Sequence, residues 1–272
     1  MKNVLNLTNK YIVLATPLIL FTLISSIYTA FSLRGGNIIN FLIALVILTL
    51  MSAAFIAGWF NMVKLASTDA EPAEPSYIIK EFIPGVGEYF LTSIGIIFIV
   101  CVINLVIIAL SFILGLHFIG DPGISADALS KAMSNAAALK AFIAGLSSEQ
   151  LLKINLWNLL LLGMMGVVSF LLILYLPAVF FKSKNPFKAF FISLKDLFSR
   201  NFLACLGLYL LIFTVNFFIS VFAAILAGTV ITNFIMTLIN FYFICVVSVG
   251  VFYFYNQKFV KQQIGKNIDV KI

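Results

Sequence analysis

Long apolar stretches alternate with short polar ones along this chain. Each apolar stretch reaches the roughly 20 residues that a helix needs to cross the hydrocarbon core of a bilayer. The pattern predicts six spans, at residues 11–31, 38–63, 90–116, 154–180, 202–226 and 231–255. The first is too long for the ~7–15-residue apolar region of a secretion signal, which favours a retained anchor over a signal peptide cleaved near Ser32.

The stretch from residue 185 to residue 228 combines a short amphipathic segment with the fifth span. Asn185 is a favourable N-cap, and Pro186 suits the first position of a helix. Apolar residues then recur at helical spacing, at Phe187, Phe190, Phe191, Leu194, Leu197 and Phe198. The opposite side carries Lys188, Lys195, Asp196, Ser199 and Arg200. Such a helix typically lies flat in a membrane interface.

Composition supports the same class of protein. Of 272 residues, 62% are hydrophobic and 10% charged, with a mean hydropathy of +1.14, whereas soluble domains carry about 25% charged residues. The sequence therefore predicts an all-α, polytopic membrane helix bundle with cytoplasmic interfacial helices, as one integral membrane domain over residues 1–272.

The basic residues predict the orientation of the bundle. Thirteen of the 17 fall on one side, namely Lys2, Lys10, Lys64, Lys80, Lys182, Lys184, Lys188, Lys195, Arg200, Lys258, Lys261, Lys266 and Lys271. The other side carries Arg34, Lys131, Lys140 and Lys153. The positive-inside rule then places both termini in the cytoplasm and the loop 117–153 outside. The net charge of +7 thus marks a membrane face, and no nucleic-acid partner is expected.

The basic residues beside the fifth span are candidates for contact with anionic lipid. They are Lys182, Lys184, Lys188, Lys195 and Arg200. Near an anionic leaflet each can contribute about 1 kcal/mol. Two interpretations remain open: simple anchoring of the chain, and specific binding of a lipid head group.

Catalytic chemistry has few candidates. The one histidine, His117, falls at the outer end of the third span, and all ten acidic residues fall in loops or tails. The three cysteines lie in apolar segments without paired spacing, where buried free thiols are expected. We therefore predict a non-enzymatic protein without metal or cofactor; an intramembrane enzyme would have to use His117 or loop carboxylates.

Asparagines provide the polar groups within the spans. Asn104, Asn216 and Asn240 fall near mid-span, where an amide facing lipid would be costly. They predict either hydrogen bonds between helices or a polar path for a solute.

Small residues indicate close helix contacts. Ser220, Ala224 and Gly228 recur every four residues, and Ala54 and Gly58 share that spacing. The stripes fit packing inside the bundle or a homodimer seam.

Two further patterns concern the loop 117–153 and an internal repeat. Helices are expected over residues 125–133 and 136–144, and residues 147–150 resemble a capping box. Residues 90–95 resemble residues 202–207 at three positions, and Asn104 aligns with Asn216 at the same offset. A parallel repeat and a chance match in apolar sequence both remain open.

Residues 184–207 form a proline-started surface helix that leads into a Leu/Phe-rich span. In this stretch the chain resembles bacterial six-span proteins akin to the membrane domain of glycerophosphodiester phosphodiesterases and related uncharacterised families. The resemblance implies a six-helix bundle in a bacterial or archaeal cytoplasmic membrane, and it carries over no active-site residue. The expected function is a non-enzymatic role in envelope or lipid homeostasis or in a membrane complex, with lipids, a protein partner or a second copy as partners. The alternative is a transporter or channel for a small or amphipathic solute.

Overall fold

A computed structural model describes residues 2–32, 38–68, 74–226 and 228–261, which form helices and connecting turns without a β-strand. The helices are α1 (Lys2–Lys10), α2 (Ala15–Ser32), α3 (Ile38–Ala66), α4 (Pro75–Lys80), α5 (Phe82–Phe118), α6 (Ala126–Ala132), α7 (Ala136–Ala144), α8 (Ser148–Leu172), α9 (Tyr175–Phe181), α10 (Pro186–Leu197), α11 (Phe202–Leu226) and α12 (Val230–Tyr255). A 3₁₀ turn (Ile12–Leu14) precedes α2, and a π-helical turn (Asn256–Val260) follows α12.

Six helical segments of the described chain are long and apolar enough to cross a membrane. They are Ile12–Ser32, Ile38–Ala66, Phe82–Phe118, Ser148–Phe181, Phe202–Leu226 and Val230–Val260. The predicted fold class is confirmed, and the chain is an all-α, multi-pass membrane protein. Arg34, Lys266 and Lys271 lie outside the described residues.

Prolines affect the helix boundaries differently according to their position. Pro17 and Pro84 lie in the first turns of α2 and α5, where a missing N–H costs nothing, so neither helix breaks there. Pro177 lies in α9 and leaves the carbonyl of Ile173 without its usual donor. The fourth span accordingly divides into α8 and α9 at residues 173–174.

The chain forms two compact units, one of Met1–Ile99 with Phe170–Ile272 and the other of Val100–Ser169. In the first unit, α3 packs against α2, α9 and α12. The buried Trp59 donates a hydrogen bond to the carbonyl of Leu14 at 2.8 Å. Phe60 stacks on Phe252, with ring centroids 5.6 Å apart. Aromatic rings thus join the helices around α3.

The second unit contains the predicted helices of the loop 117–153, seen as α6 and α7. The capping box is confirmed, because the Ser147 N–H donates to Gln150 Oε1 at 3.0 Å and the Gln150 N–H donates to Ser147 Oγ at 3.2 Å. Trp157 donates to the carbonyl of Gly120 at 3.1 Å. Its ring occupies the place that a side chain at residue 115 would take, so that position requires glycine.

Candidate functional site

Residues 182–200, here called the basic corner, connect α9 to α11 and contain α10. Asn185 caps α10, since its Oδ1 accepts a hydrogen bond from the Lys188 N–H at 3.1 Å. Pro186 occupies the first turn, as the sequence predicted. The cap and the proline therefore fix where this helix begins.

A buried ion pair holds one side of the basic corner to the bundle. Lys182 Nζ lies 2.8 Å from Asp196 Oδ2 and 3.1 Å from Oδ1. The hydroxyl of the fully buried Tyr255 donates to the same Oδ2 at 2.5 Å. The Lys182 and Asp196 side chains are only 15% and 13% exposed. Lys182 thus neutralises a carboxylate that is largely removed from solvent, and Tyr255 supplies it with a further hydrogen bond.

The Lys182 ammonium also lies over two aromatic rings. Its Nζ is 5.3 Å from the centroid of Tyr255 and 5.8 Å from that of Phe259. Both distances fall within the ~6 Å range of a cation–π interaction. The end of α12 and the following π-helical turn therefore supply the surroundings of this ion pair.

Helix α5 holds the other side of the basic corner. Lys184 Nζ pairs with Glu88 Oε1 at 2.9 Å, and the Thr92 hydroxyl donates to the carbonyl of Lys184 at 2.9 Å. A Cβ atom at Gly95 would lie 2.5 Å from Cγ of Pro186. The absence of a side chain at Gly95 thus allows Pro186 to reach α5.

Three lengthwise faces divide α10. Ala189, Ser193 and Leu197 recur every four residues and are buried. Large apolar side chains project from another face, at Phe187 (54% exposed) and Phe191 (68%), and Phe198 (62%) continues this face just past the helix end. Lys188 and Lys195 are exposed beside them, and Arg200 is exposed in the turn that follows. Small residues thus face the bundle, while phenylalanines and cations face away from it.

The five predicted lipid-contact residues fall into two groups. Lys188, Lys195 and Arg200 are exposed, and Lys184 is exposed but paired with Glu88. Lys182 differs from the expectation, because its ammonium serves the buried pair with Asp196. Asp196, expected on the solvent side of the helix, instead turns toward Tyr255.

The mid-span asparagines occupy separate places. Asn104, in the second unit, is half-buried and donates to the carbonyl of Val100 in its own helix at 2.8 Å. Asn216 and Asn240, in the first unit, are exposed on α11 and α12. The amide of Asn104 is thus satisfied within α5 rather than by another helix.

The two small-residue stripes also differ. A Cβ atom at the buried Gly58 would lie 2.8 Å from the ring of Phe82, and Ala54 beside it is half-buried. Ser220, Ala224 and Gly228 are exposed, and no described residue lies within 4 Å of a Cβ built at Gly228. Close packing within the bundle therefore involves the stripe on α3, whereas the stripe on α11 is open.

The cysteines only partly match the expectation of buried thiols. Cys205 and Cys245 are buried, and Cys101 is exposed on α5. Within the described residues, no three His, Cys, Asp or Glu side chains form a group suited to a metal ion.

Asp196 and Tyr255 are the main residues that sequence reasoning missed. Asp196 is the one acid in the basic corner, and a helical projection places it beside the small residues Ala189 and Ser193. This position on the helix, rather than the charge of Asp196, was the sequence signal that could have predicted its inward contact. Tyr255 belongs to α12, and the sequence contains no sign of which loop it meets.

Comparisons with protein families, with curated proteins and with solved structures give no match for this chain.

Proposed function

We propose that this protein is a non-enzymatic, lipid-binding bundle of a prokaryotic cytoplasmic membrane, with both termini in the cytoplasm. Its role would be envelope or lipid homeostasis, or support of a membrane complex. The observation that carries the proposal is the basic corner. Buried contacts hold one side of it to the bundle, and the other side exposes phenylalanines and cations.

The outward face of α10 has the chemistry of a membrane interface. The exposed Phe187 and Phe191, with Phe198 just past the helix end, favour the boundary between head groups and acyl chains. Its neighbouring cations, Lys188 and Lys195, would meet lipid phosphates, each contributing about 1 kcal/mol near an anionic leaflet. The inward anchors restrict the rotation of α10, so both groups stay on the side that would face lipid.

A solute path was the alternative function, and it rested on the mid-span asparagines. Asn104 bonds to its own helix, while Asn216 and Asn240 lie on exposed helix surfaces. These positions give no support to a shared polar route, so the lipid-binding surface is the favoured proposal.

The thermal stability of the full-length protein in nanodiscs tests the lipid-binding surface. We expect phosphatidylglycerol to raise the midpoint of unfolding relative to phosphatidylcholine, because a ligand that binds the folded state stabilises it. The variant K188Q/K195Q should lose most of this difference. Added salt should reduce the difference for the natural chain, since exposed charges are screened.

The matched control is K131Q/K140Q, which removes the same charge from exposed positions in the loop 117–153. It should keep the stabilisation by phosphatidylglycerol. An equal loss in the two variants would show a response to net charge alone and would contradict the proposal.

A deletion strain tests the cellular role. We expect altered envelope permeability or lipid composition, with rescue by the natural chain and weaker rescue by K188Q/K195Q. Equal rescue by both proteins would show that the cellular role does not depend on Lys188 and Lys195, and it would contradict the proposal.

A further inference from the structure

A cavity of about 550 Å³ lies in the first unit between α1, α11 and α12. Its wall is largely apolar, with aliphatic side chains such as Leu211, Val215 and Val247 beside the aromatic rings of Tyr242, Phe243, Tyr253 and Phe254. The volume falls within the roughly 300–1,000 Å³ typical of binding sites for small molecules. The cavity can therefore contain part of a ligand, and its wall favours hydrocarbon.

The cavity follows two membrane-spanning helices. Along α12 and the π-helical turn its lining extends from Ile239 to Lys258, about 28 Å at ~1.5 Å per residue. Water gains few hydrogen-bond partners on such a wall. A long, extended apolar chain fits this shape better than a compact polar solute.

One end of the cavity is polar. Gln257 and Lys258 contribute to the lining there, and Lys258 is exposed. The orientation predicted from the sequence places this end at the cytoplasmic leaflet, where anionic head groups lie. The change from an apolar wall to a cation matches the change from an acyl chain to a phosphate.

Helix α1 covers the cavity from the side. Val4 and Leu5 face the cavity, whereas Asn3 and Asn6 are exposed. At the end of α1, Asn9 Oδ1 accepts a hydrogen bond from the Tyr242 hydroxyl at 2.6 Å. The amphipathic helix α1 thus forms one wall of the cavity, here called the apolar groove.

We propose that this groove binds one acyl chain of an anionic phospholipid, with the phosphate at Lys258. The site goes beyond the lipid-binding surface of the basic corner, because none of the residues that line it belongs to residues 182–200. It would retain a single lipid, whereas the exposed face of α10 would meet many exchanging lipids.

Native mass spectrometry of the delipidated full-length protein, titrated with dioleoyl phosphatidylglycerol or dioleoyl phosphatidylcholine, tests the proposal. We expect one phosphatidylglycerol to bind more tightly than any further lipid. L211W fills the groove and should weaken this first binding event by about tenfold or more, which corresponds to ~1.4 kcal/mol. L210W is the matched control, since Leu210 is exposed on the same helix but does not line the groove.

A second pair of variants guards against a folding defect in L211W. V247F fills the groove from α12, and I244F places the same side chain outside it. K258Q should retain lipid but lose the preference for phosphatidylglycerol over phosphatidylcholine. Equal lipid binding by the groove-filling and control variants would show that only nonspecific lipid binds, and it would overturn the proposal. An unchanged preference for phosphatidylglycerol in K258Q would show that the phosphate does not bind at Lys258, and it would overturn the proposal as well. Neither result depends on the lysines of α10, so failure here is distinct from failure of the basic corner.

Discussion

Asp196 receives hydrogen bonds from two side chains at once, Lys182 and Tyr255, in a largely buried setting. The loss of one partner from such a pair leaves the other charge uncompensated, which costs more than the intact pair contributes. The sequence indicated the charges but not the pairing, because a carboxylate among lysines usually stays in solvent. Only the approach of α12 reveals what Asp196 contacts.

Replacement of Asp196 tests this arrangement. We expect D196A to lower the free energy of unfolding by about 3 kcal/mol, because Lys182 and Tyr255 lose their acceptor. Chemical unfolding in mixed micelles measures the change. D127A, at an exposed carboxylate of the second unit, is the control and should cost under about 0.5 kcal/mol.

The double variant K182M/D196A separates the ion pair from general packing. It should be more stable than D196A alone, since no unpaired ammonium remains. Simple addition of the two single costs would contradict a coupled pair.

At the scale of the element, the start of α10 was predictable and its division into faces was not. Asn185 and Pro186 signal a helix start through local chemistry alone. Helical periodicity identifies an apolar side of α10, but it does not show which residues of that side pack against the bundle and which would face lipid. The small residues Ala189 and Ser193 pack against the bundle, because Asp196 on the same face of α10 binds Lys182 and Tyr255.

The glycines of the internal repeat give a test at this scale. Gly95 and Gly207 occupy matching positions in the predicted repeat, but only Gly95 lies against Pro186, while space is open around Gly207. We expect G95A to destabilise the protein by about 1–3 kcal/mol, because the rigid proline ring must move.

The matched variant G207A should be neutral or stabilising by up to about 1 kcal/mol, since alanine favours the helix over glycine. Thermal unfolding in detergent measures both variants. Equal effects would show that the contact of Pro186 with α5 carries little energy. The repeat itself stays a prediction.

At the scale of the whole molecule, hydropathy predicted the six spans because length and apolarity are local properties. It missed α1, because the nine residues of this helix are too few for a span. The hydrogen bond from Tyr242 of α12 to Asn9 positions α1. The described chain divides into two compact units, and the single membrane domain over residues 1–272 stays a prediction. The open stripe at Ser220, Ala224 and Gly228 also depends on tertiary packing, so the homodimer seam inferred from the sequence remains a prediction.

Labelling of cysteines with a membrane-impermeant maleimide tests the central claim, that the basic corner lies at the cytoplasmic leaflet of a six-span protein. Single cysteines would replace Lys188 and Ser134, both exposed, in a chain whose Cys101, Cys205 and Cys245 are changed to alanine. We predict that S134C is labelled in intact cells and that K188C is labelled only after the membrane is opened. Labelling of K188C in intact cells, with S134C protected, would contradict the account.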